Sequence, residues 1–261
     1  YVTKLKGKYD PGFLSVDDVH DYAHVYFEKK KIATINRCKK SSLLNKLKLK
    51  KQLFIKGTSS ESEIGVLVEG MGRVNYGKEL YDRKGISNIH FANQVLTDFD
   101  VYTMPFDNLE KLIFKDIKAE DKNGPIFLKG KFMAGDGECF VNMTGFTKGY
   151  VFVNGFNLGR YWEIGPQQTL YVPASVLKDG ENEIIVFESD GLKGDAEIEF
   201  VTTADKIGIA TYKRSMVIMM MKAFREVLKE KGTTGKIRVL FSLSKGFYCE
   251  LESEKEKVSK E

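Results

Sequence analysis

Residues 145–173, GFTKGYVFVNGFNLGRYWEIGPQQTLYVP, constrain the fold of this chain more than any other stretch. Val151, Phe152 and Val153 form an apolar β run, and Asn154-Gly155 is the dipeptide that tolerates the positive φ angles of a tight type I′ turn. Residues 156–162 then carry the chain back, so a β-hairpin is expected. The same texture of short apolar runs and turn residues recurs: 23–27, 32–35, 64–69, 89–91, 101–104, 126–132, 169–172 and 183–188 read as strands. Glu28-Lys29-Lys30-Lys31 reads as the loop of a second hairpin over 25–35, residues 178–182 as a turn, and 196–200 as the strand that closes the last sheet. Many short strands at near-regular spacing point to antiparallel sandwiches or jelly rolls.

At 261 residues the chain has material for two or three cores. The divisions expected are a first β-sandwich domain over 1–105, a jelly-roll domain over 106–205 and a small α+β segment over 206–261. No apolar run approaches the roughly 20 residues of a spanning helix, so no membrane partner is expected. The opening residues YVTKLKGKYDPGF lack the apolar core and cleavage site of a secretory signal. Cys38, Cys139 and Cys249 are odd in number and far apart, which points away from a disulfide framework or zinc site and leans toward a reducing, cytoplasmic compartment. Net charge is +5, with a dense patch at Lys39, Lys40, Lys46, Lys48, Lys50, Lys51 and Lys56. Alternation in Leu47-Lys48-Leu49-Lys50 puts these lysines on one solvated strand face, and with few aromatics nearby the reading disfavours nucleic acid.

The 145–173 block resembles the carboxy-terminal jelly-roll domain of family-35 glycoside hydrolases, the β-galactosidases, in which NGFNLGRYW, GPQ and TLYVP recur together. Residues 65–77, GVLVEGMGRVNYG, are similar to the family's LVENMGRVNYG segment, with Gly70 where Asn is usual. Family-like order continues through Lys84-Gly85-Ile86, VLTDFDVYTMPF over 95–106, and Gly124-Pro125-Ile126-Phe127. The segment HDYAHVY over 20–26 resembles the family's HDRAxVY with Tyr22 in place of Arg, and Phe146 stands where Trp is commoner. The resemblance covers about residues 1–203 and implies a mainly β chain of two galactose-binding-like sandwiches.

It also implies where chemistry is not. Family members place both catalytic glutamates on a (β/α)₈ barrel of about 250 residues. No amphipathic helix precedes residue 212, so the barrel is absent and no catalytic residue is assigned, Glu69, Glu163, Glu183 and Glu188 included. The implied function is the non-catalytic part of a β-galactosidase, with β-galactoside or galactose reached through the parent enzyme and no cofactor; a stand-alone carbohydrate-binding module is the alternative. The resemblance places Tyr76, flanked by Arg73 and Asn75, where a tyrosine can lean over the barrel's sugar pocket. Interdomain packing by the same tyrosine is the rival reading, and the favoured one for the isolated chain. Arg160, Trp162 and Gln167 are the carbohydrate-binding candidates, set against a structural role in which Trp162 completes the sandwich core. His20 and His24 lack the HExxH pattern of a zinc site, and Asn142-Met143-Thr144 fits the glycosylation acceptor triplet.

After residue 206 the texture changes. Met216, Met219, Met220, Ala223, Phe224, Val227 and Leu228 recur at helical spacing, so an amphipathic helix is expected over 212–231, ended by Gly232 and followed by strands at 236–242 and 247–252. ATYKRSMVIMMMKAF and VLFSLSKGFYCELE resemble the segment preceding the phosphate-binding domain of uridine-kinase-like proteins, itself similar to part of a threonyl-tRNA synthetase accessory domain. That likeness leaves a nucleoside-kinase-related partner role as a further alternative. Residues 232–237 lack the GxxxxGK[ST] spacing, so no kinase activity is expected.

Overall fold

The computed structural model describes residues 1–37, 52–58, 60–117, 123–134, 137–194, 197–243 and 246–253. The lysine patch at 39–51, with the alternation at 47–50, lies outside the described residues, as does Cys38. The chain divides into two compact units, Tyr1–Phe106 and Asp107–Glu261.

In the first unit β1 (Val2–Leu5), β6 (Ser62–Glu69), β3 (Tyr22–Phe27) and β4 (Lys30–Asn36) form one antiparallel sheet in that order. A second sheet orders β5 (Gln52–Ile55), β2 (Gly12–Val16), β7 (Ile89–Phe91) and β8 (Gln94–Val95). Strand alternation is explicit in β6, where Ser62, Ile64 and Val66 are buried and the residues between them are partly exposed. Ile64 and Val66 join Leu14, Val16, Ala23, Val25, Ile89 and Phe91 in one core. Burying each such aliphatic side chain contributes about 1.5–3 kcal/mol.

Two details differ from the sequence reading. The β3–β4 hairpin turns on two residues, Glu28 and Lys29, both with positive φ (49° and 61°), so Lys30 and Lys31 belong to β4 and not to a four-residue loop. Paired positive φ matches the right-handed twist of the flanking strands, which a longer loop would not enforce. Residues 101–104 form no strand: Asp100 bridges Val2, but Val101, Tyr102 and Met104 beyond it are exposed. An apolar run becomes a strand only where a ladder has a vacant edge.

In the second unit β12 (Phe156–Trp162), β11 (Lys148–Val153), β14 (Glu181–Glu188) and β9 (Ile126–Met133) make a four-stranded sheet. Facing core residues come from a three-stranded sheet of β13 (Thr169–Val172), β10 (Cys139–Asn142) and β15 (Glu199–Val201). The expected hairpin is present, with Val153 opposite Phe156 and positive φ at Asn154 (48°) and Gly155 (82°). Asn154 also stitches its turn to the next: its Nδ2 donates to Val176 O (2.8 Å) and Asn182 Oδ1 (2.7 Å), and its Oδ1 accepts from Glu183 N (3.0 Å). Asn142 is buried, donates to Glu199 Oε2 (2.9 Å) and accepts from Thr144 Oγ1 (2.8 Å), so the acceptor triplet is engaged within the fold.

A helix, α1 (Lys206–Glu230), and a hairpin of β16 (Gly235–Leu243) and β17 (Gly246–Ser253) complete the chain. The helix starts six residues earlier than its apolar spacing indicates, following a turn in which Asp205 accepts from Thr202 N (2.7 Å), and Gly208 lets its first turn press on Thr202. A Cβ at Gly208 would lie 1.9 Å from Thr202 O.

Gly149 in β11 is a similar close approach: a Cβ there would lie 1.7 Å from Phe187 O and 2.8 Å from the Tyr161 hydroxyl. Gly149→Ala is expected to destabilise by about 2 kcal/mol or more through backbone displacement between β11 and β14. Urea unfolding checks this; an unchanged midpoint would show that the two strands yield freely.

Candidate functional site

Where β6 ends, the chain leaves the sheet for the loop that carries Arg73, Asn75 and Tyr76. Its base is fastened by Asp21, the residue before β3, which is 4% exposed. Asp21 Oδ1 accepts from Arg37 Nη1 at 2.8 Å, and Oδ2 accepts from both Lys84 Nζ and Met71 N at 2.7 Å. Arg37 also pairs with Asp82, and Arg73 Nη1 donates to Asp82 O (3.1 Å) and weakly to Leu80 O (3.4 Å). Gly77 (φ 88°) and a 3-10 turn over Lys78–Tyr81 return the loop toward Asp82.

Burial alone would push the Asp21 carboxyl up, but hydrogen bonds from Lys84, Arg37 and the Met71 amide outweigh it and hold the carboxyl below the usual aspartate value. Arg37 is held above its ordinary value by the Asp21 hydrogen bond. The structure therefore divides the predicted trio: Arg73 braces the loop, whereas Asn75 and Tyr76 are exposed, Tyr76 at 86%. Tyr22 is buried edge-on to His24, and the open side of Gly70 faces the Lys84 stem at 3.8 Å, which leaves room for a side chain.

A second cluster lies in the other unit, around the end of β12. Alternation puts Tyr161 in the core and Arg160 and Trp162 on the opposite face. Tyr161, only 1% exposed, takes the core position expected for Trp162, while Trp162 is half-buried. Phe146 is buried edge-on to Tyr161. Trp162 lines a cleft of about 180 Å³ with Thr144, Phe146, Glu163, Gln168 and Lys193 among its other walls. Arg160 and Gln167 are not in that wall: Gln167 is exposed and uses its carbonyl to accept from Trp162 N, and Gln168 is the glutamine at the cleft.

Beneath the cleft, Glu188 is fully buried and accepts five hydrogen bonds: Thr147 N (2.8 Å), Tyr161 Oη (2.9 Å), Asp190 N (2.9 Å), Lys148 N (3.2 Å) and Gly191 N (3.2 Å). Burial raises its carboxyl above the ordinary value although these donors pull it down. Lys148, also fully buried, places Nζ 5.2 Å from the Trp162 ring centroid. Burial and the nearby Arg160 charge lower its ammonium to about 8. Two of the other strand-associated acids are in ion pairs, Glu163 with Lys193 and Glu183 with Lys129 (2.5 Å). In the sequence Glu188 reads only as a strand-associated acid without a catalytic role, and Asp21 only as part of HDYAHVY. A charged residue abutting a strand that is otherwise apolar was the available signal at both.

His24 Nδ1 lies 3.0 Å from Thr34 Oγ1 and His20 Nδ1 2.6 Å from Arg83 O, and among the described residues no group of three metal-ligating side chains converges.

The fold defines a chain of antiparallel β-sandwich regions, one with its core around Leu14, Val25 and Ile64 and one with its core around Val141, Val151 and Val186. Residues 1–105 match the family model of the β-galactosidase first all-beta domain, and residues 125–182 that of the β-galactosidase galactose-binding domain. The chain belongs to the β-galactosidase family, within which it comprises these non-catalytic β domains. Beta-galactosidase 1 of Dictyostelium discoideum is 32% identical over 203 residues, covering 72% of this chain and 30% of that protein. Beta-galactosidase 8 of Oryza sativa subsp. japonica is 30% identical over 249 residues, covering 78% and 36%. Beta-galactosidase-1-like protein 2 of Homo sapiens reaches 40% over 134 residues, covering 47% and 21%. The chain thus spans about a third or less of the length of these relatives.

The lowered Asp21 value fixes a sign. Stability from its ion pairs is fully present above the unfolded aspartate value of about 3.9 and is lost as pH falls through the lower folded value. Asp21→Asn is expected to cost about 3 kcal/mol at neutral pH, because Arg37 and Lys84 lose their anion. It should also flatten the acid limb of stability against pH, and a variant retaining that limb unchanged would remove Asp21 as its source.

Proposed function

We infer that this chain is the accessory β region of an enzyme that hydrolyses terminal β-galactosides, supporting a catalytic barrel that carries both acids and helping to close its sugar site. The observation that carries the reading is the contrast within residues 70–82. The loop's base is tied down by Asp21, Arg37, Lys84 and Asp82, while Tyr76 stays 86% exposed. An exposed aromatic carried on a loop whose base is fastened suits a role against another surface. A tyrosine can cover the apolar face of galactose with its ring and bond a sugar oxygen through its hydroxyl. Asn75 and Arg73 would share that site, Asn75 as a further polar contact and Arg73 as the brace. The galactoside is then a partner of the parent enzyme, with the barrel as the protein partner.

A second reading is favoured by the cleft beside Trp162, where an aromatic ring and polar groups from Thr144, Gln168 and Lys193 converge. That arrangement suits a single sugar ring, as in a carbohydrate-binding module. Arg160 and Gln167 would flank the bound sugar and not line it. We also take residues 106–205 as the jelly-roll domain and 206–261 as a segment of separate origin.

The purified chain is expected to give no turnover of a chromogenic β-galactoside, and turnover would overturn the accessory reading. In the barrel-containing parent, Tyr76→Ala should lower kcat/KM about tenfold, near 1.4 kcal/mol of lost transition-state binding. Calorimetry that finds galactose bound by the chain alone, and abolished in Trp162→Ala, would favour the module instead.

A further inference from the structure

We propose that Lys148 is a charge-operated latch for Trp162: as an ammonium it holds the indole ring that walls the cleft at the end of β12, and as a free amine it lets the ring go. The two residues are register partners at the open end of the β11–β12 hairpin. Partners directly opposite each other put their side chains on the same side of a sheet. Lys148 Nζ lies 5.2 Å from the centroid of the Trp162 ring, within the range of a cation–π contact. Trp162 is among the walls of the cleft of about 180 Å³ and Lys148 is not, so the ammonium acts on the cleft through the indole. The main chain around both residues is pinned. Trp162 N donates to Gln167 O (2.9 Å) and Trp162 O accepts from Gly165 N (2.8 Å), while Lys148 O accepts from Ser189 N (2.8 Å) and Ser189 Oγ (3.0 Å). Strand ends held this way resist separation, whereas a half-buried indole can answer a change in charge by turning about its side-chain torsions.

The charge on Lys148 is finely balanced. Full burial penalises the ammonium. Both neighbouring strands act on it: Arg160 of β12 opposes a positive Lys148, whereas Asp190 beyond β14 and Glu188 at its end favour one. Glu163, which follows Trp162, is already paired with Lys193. Burial and Arg160 prevail and lower the ammonium to about 8. Below that pH the latch is closed. Above it the ring loses its hold, because a neutral amine offers no charge to the negative face of the indole. His20, His24 and His90 all belong to the unit Tyr1–Phe106, so no imidazole of the second unit titrates in the same interval. The latch is a property of the sheet and needs no ligand in the cleft.

Trp162 is the chain's only tryptophan, so its emission reads the latch in the full chain. Emission followed from about pH 6 to about pH 10 is expected to shift in one step with its midpoint near 8, and acrylamide quenching to rise at least about 1.5-fold across that step as the ring is released. Lys148→Met keeps an apolar stem without the charge, so it should abolish the step and show the alkaline emission and quenching throughout. Arg160→Gln removes the charge that opposes the ammonium, at a half-buried side chain, and should move the midpoint to higher pH. No step in the unaltered chain, a step that persists in Lys148→Met, or a step without a rise in quenching overturns the proposal. Should circular dichroism show that Lys148→Met does not fold, Arg160→Gln decides: a midpoint moved upward supports the latch, and an unmoved one overturns it.

Discussion

A carboxylate taken out of water must have its oxygens engaged, and each unit of this chain is organised around one that does. Leaving such a group unpaired costs several kcal/mol, more than most single apolar contacts return. Asp21 meets the requirement by recruiting cations and an amide from three places in the chain: Arg37 after β4, Lys84 beyond the loop, and Met71 where β6 ends. Glu188 meets it with four backbone amides and the Tyr161 hydroxyl. In both cases hydrogen bonds tie a strand end to the loops around it. The loop bearing Tyr76 is ordered because Asp21 needs its amide and its neighbours' charges, not because its own side chains pack.

The two solutions differ in what they make of pH. Asp21 is satisfied by opposite charges, so its carboxyl is held low and its contribution is secure at neutral pH. Glu188 is satisfied mainly by neutral donors in a deeper site, so burial dominates and its carboxyl is raised. Lys148 beside it is lowered to about 8, and the folded state therefore sheds that proton between pH 8 and the ordinary lysine value, where the unfolded chain retains it. By linkage, this group favours folding more as pH rises across that interval.

Much of this was legible from residue patterns. Asn154-Gly155 specified a turn with two positive φ angles, and the apolar run Val151-Phe152-Val153 before it specified a strand, all three of whose side chains are buried. Composition alone could not order β12: Tyr161 and Trp162 are adjacent aromatics, and a one-residue difference in register decides which is buried. The register is set by pairing with Gly149, whose missing side chain leaves space for the Tyr161 hydroxyl, a contact invisible to local pattern. The short run at 101–104 failed as a strand for a related reason, since hydrophobicity announces burial or a partner but not a free ladder. The ion-pair hub around Asp21 was illegible because its members are up to 63 residues apart.

Strand-associated acids in this chain are poor candidates for proton transfer for a reason that follows from the same constraint. An acid that delivers a proton needs an oxygen free to meet substrate, and an acid that attacks needs a lone pair free to form a bond. Glu188 spends both oxygens on five donors, so turning it toward a substrate would first break the bonds that hold the turn at Asp190 and Gly191. Glu163 and Glu183 each spend a carboxylate oxygen on a lysine, Lys193 and Lys129. The bonds that fix these carboxyls in place are the ones that occupy the oxygens a catalytic acid would need free.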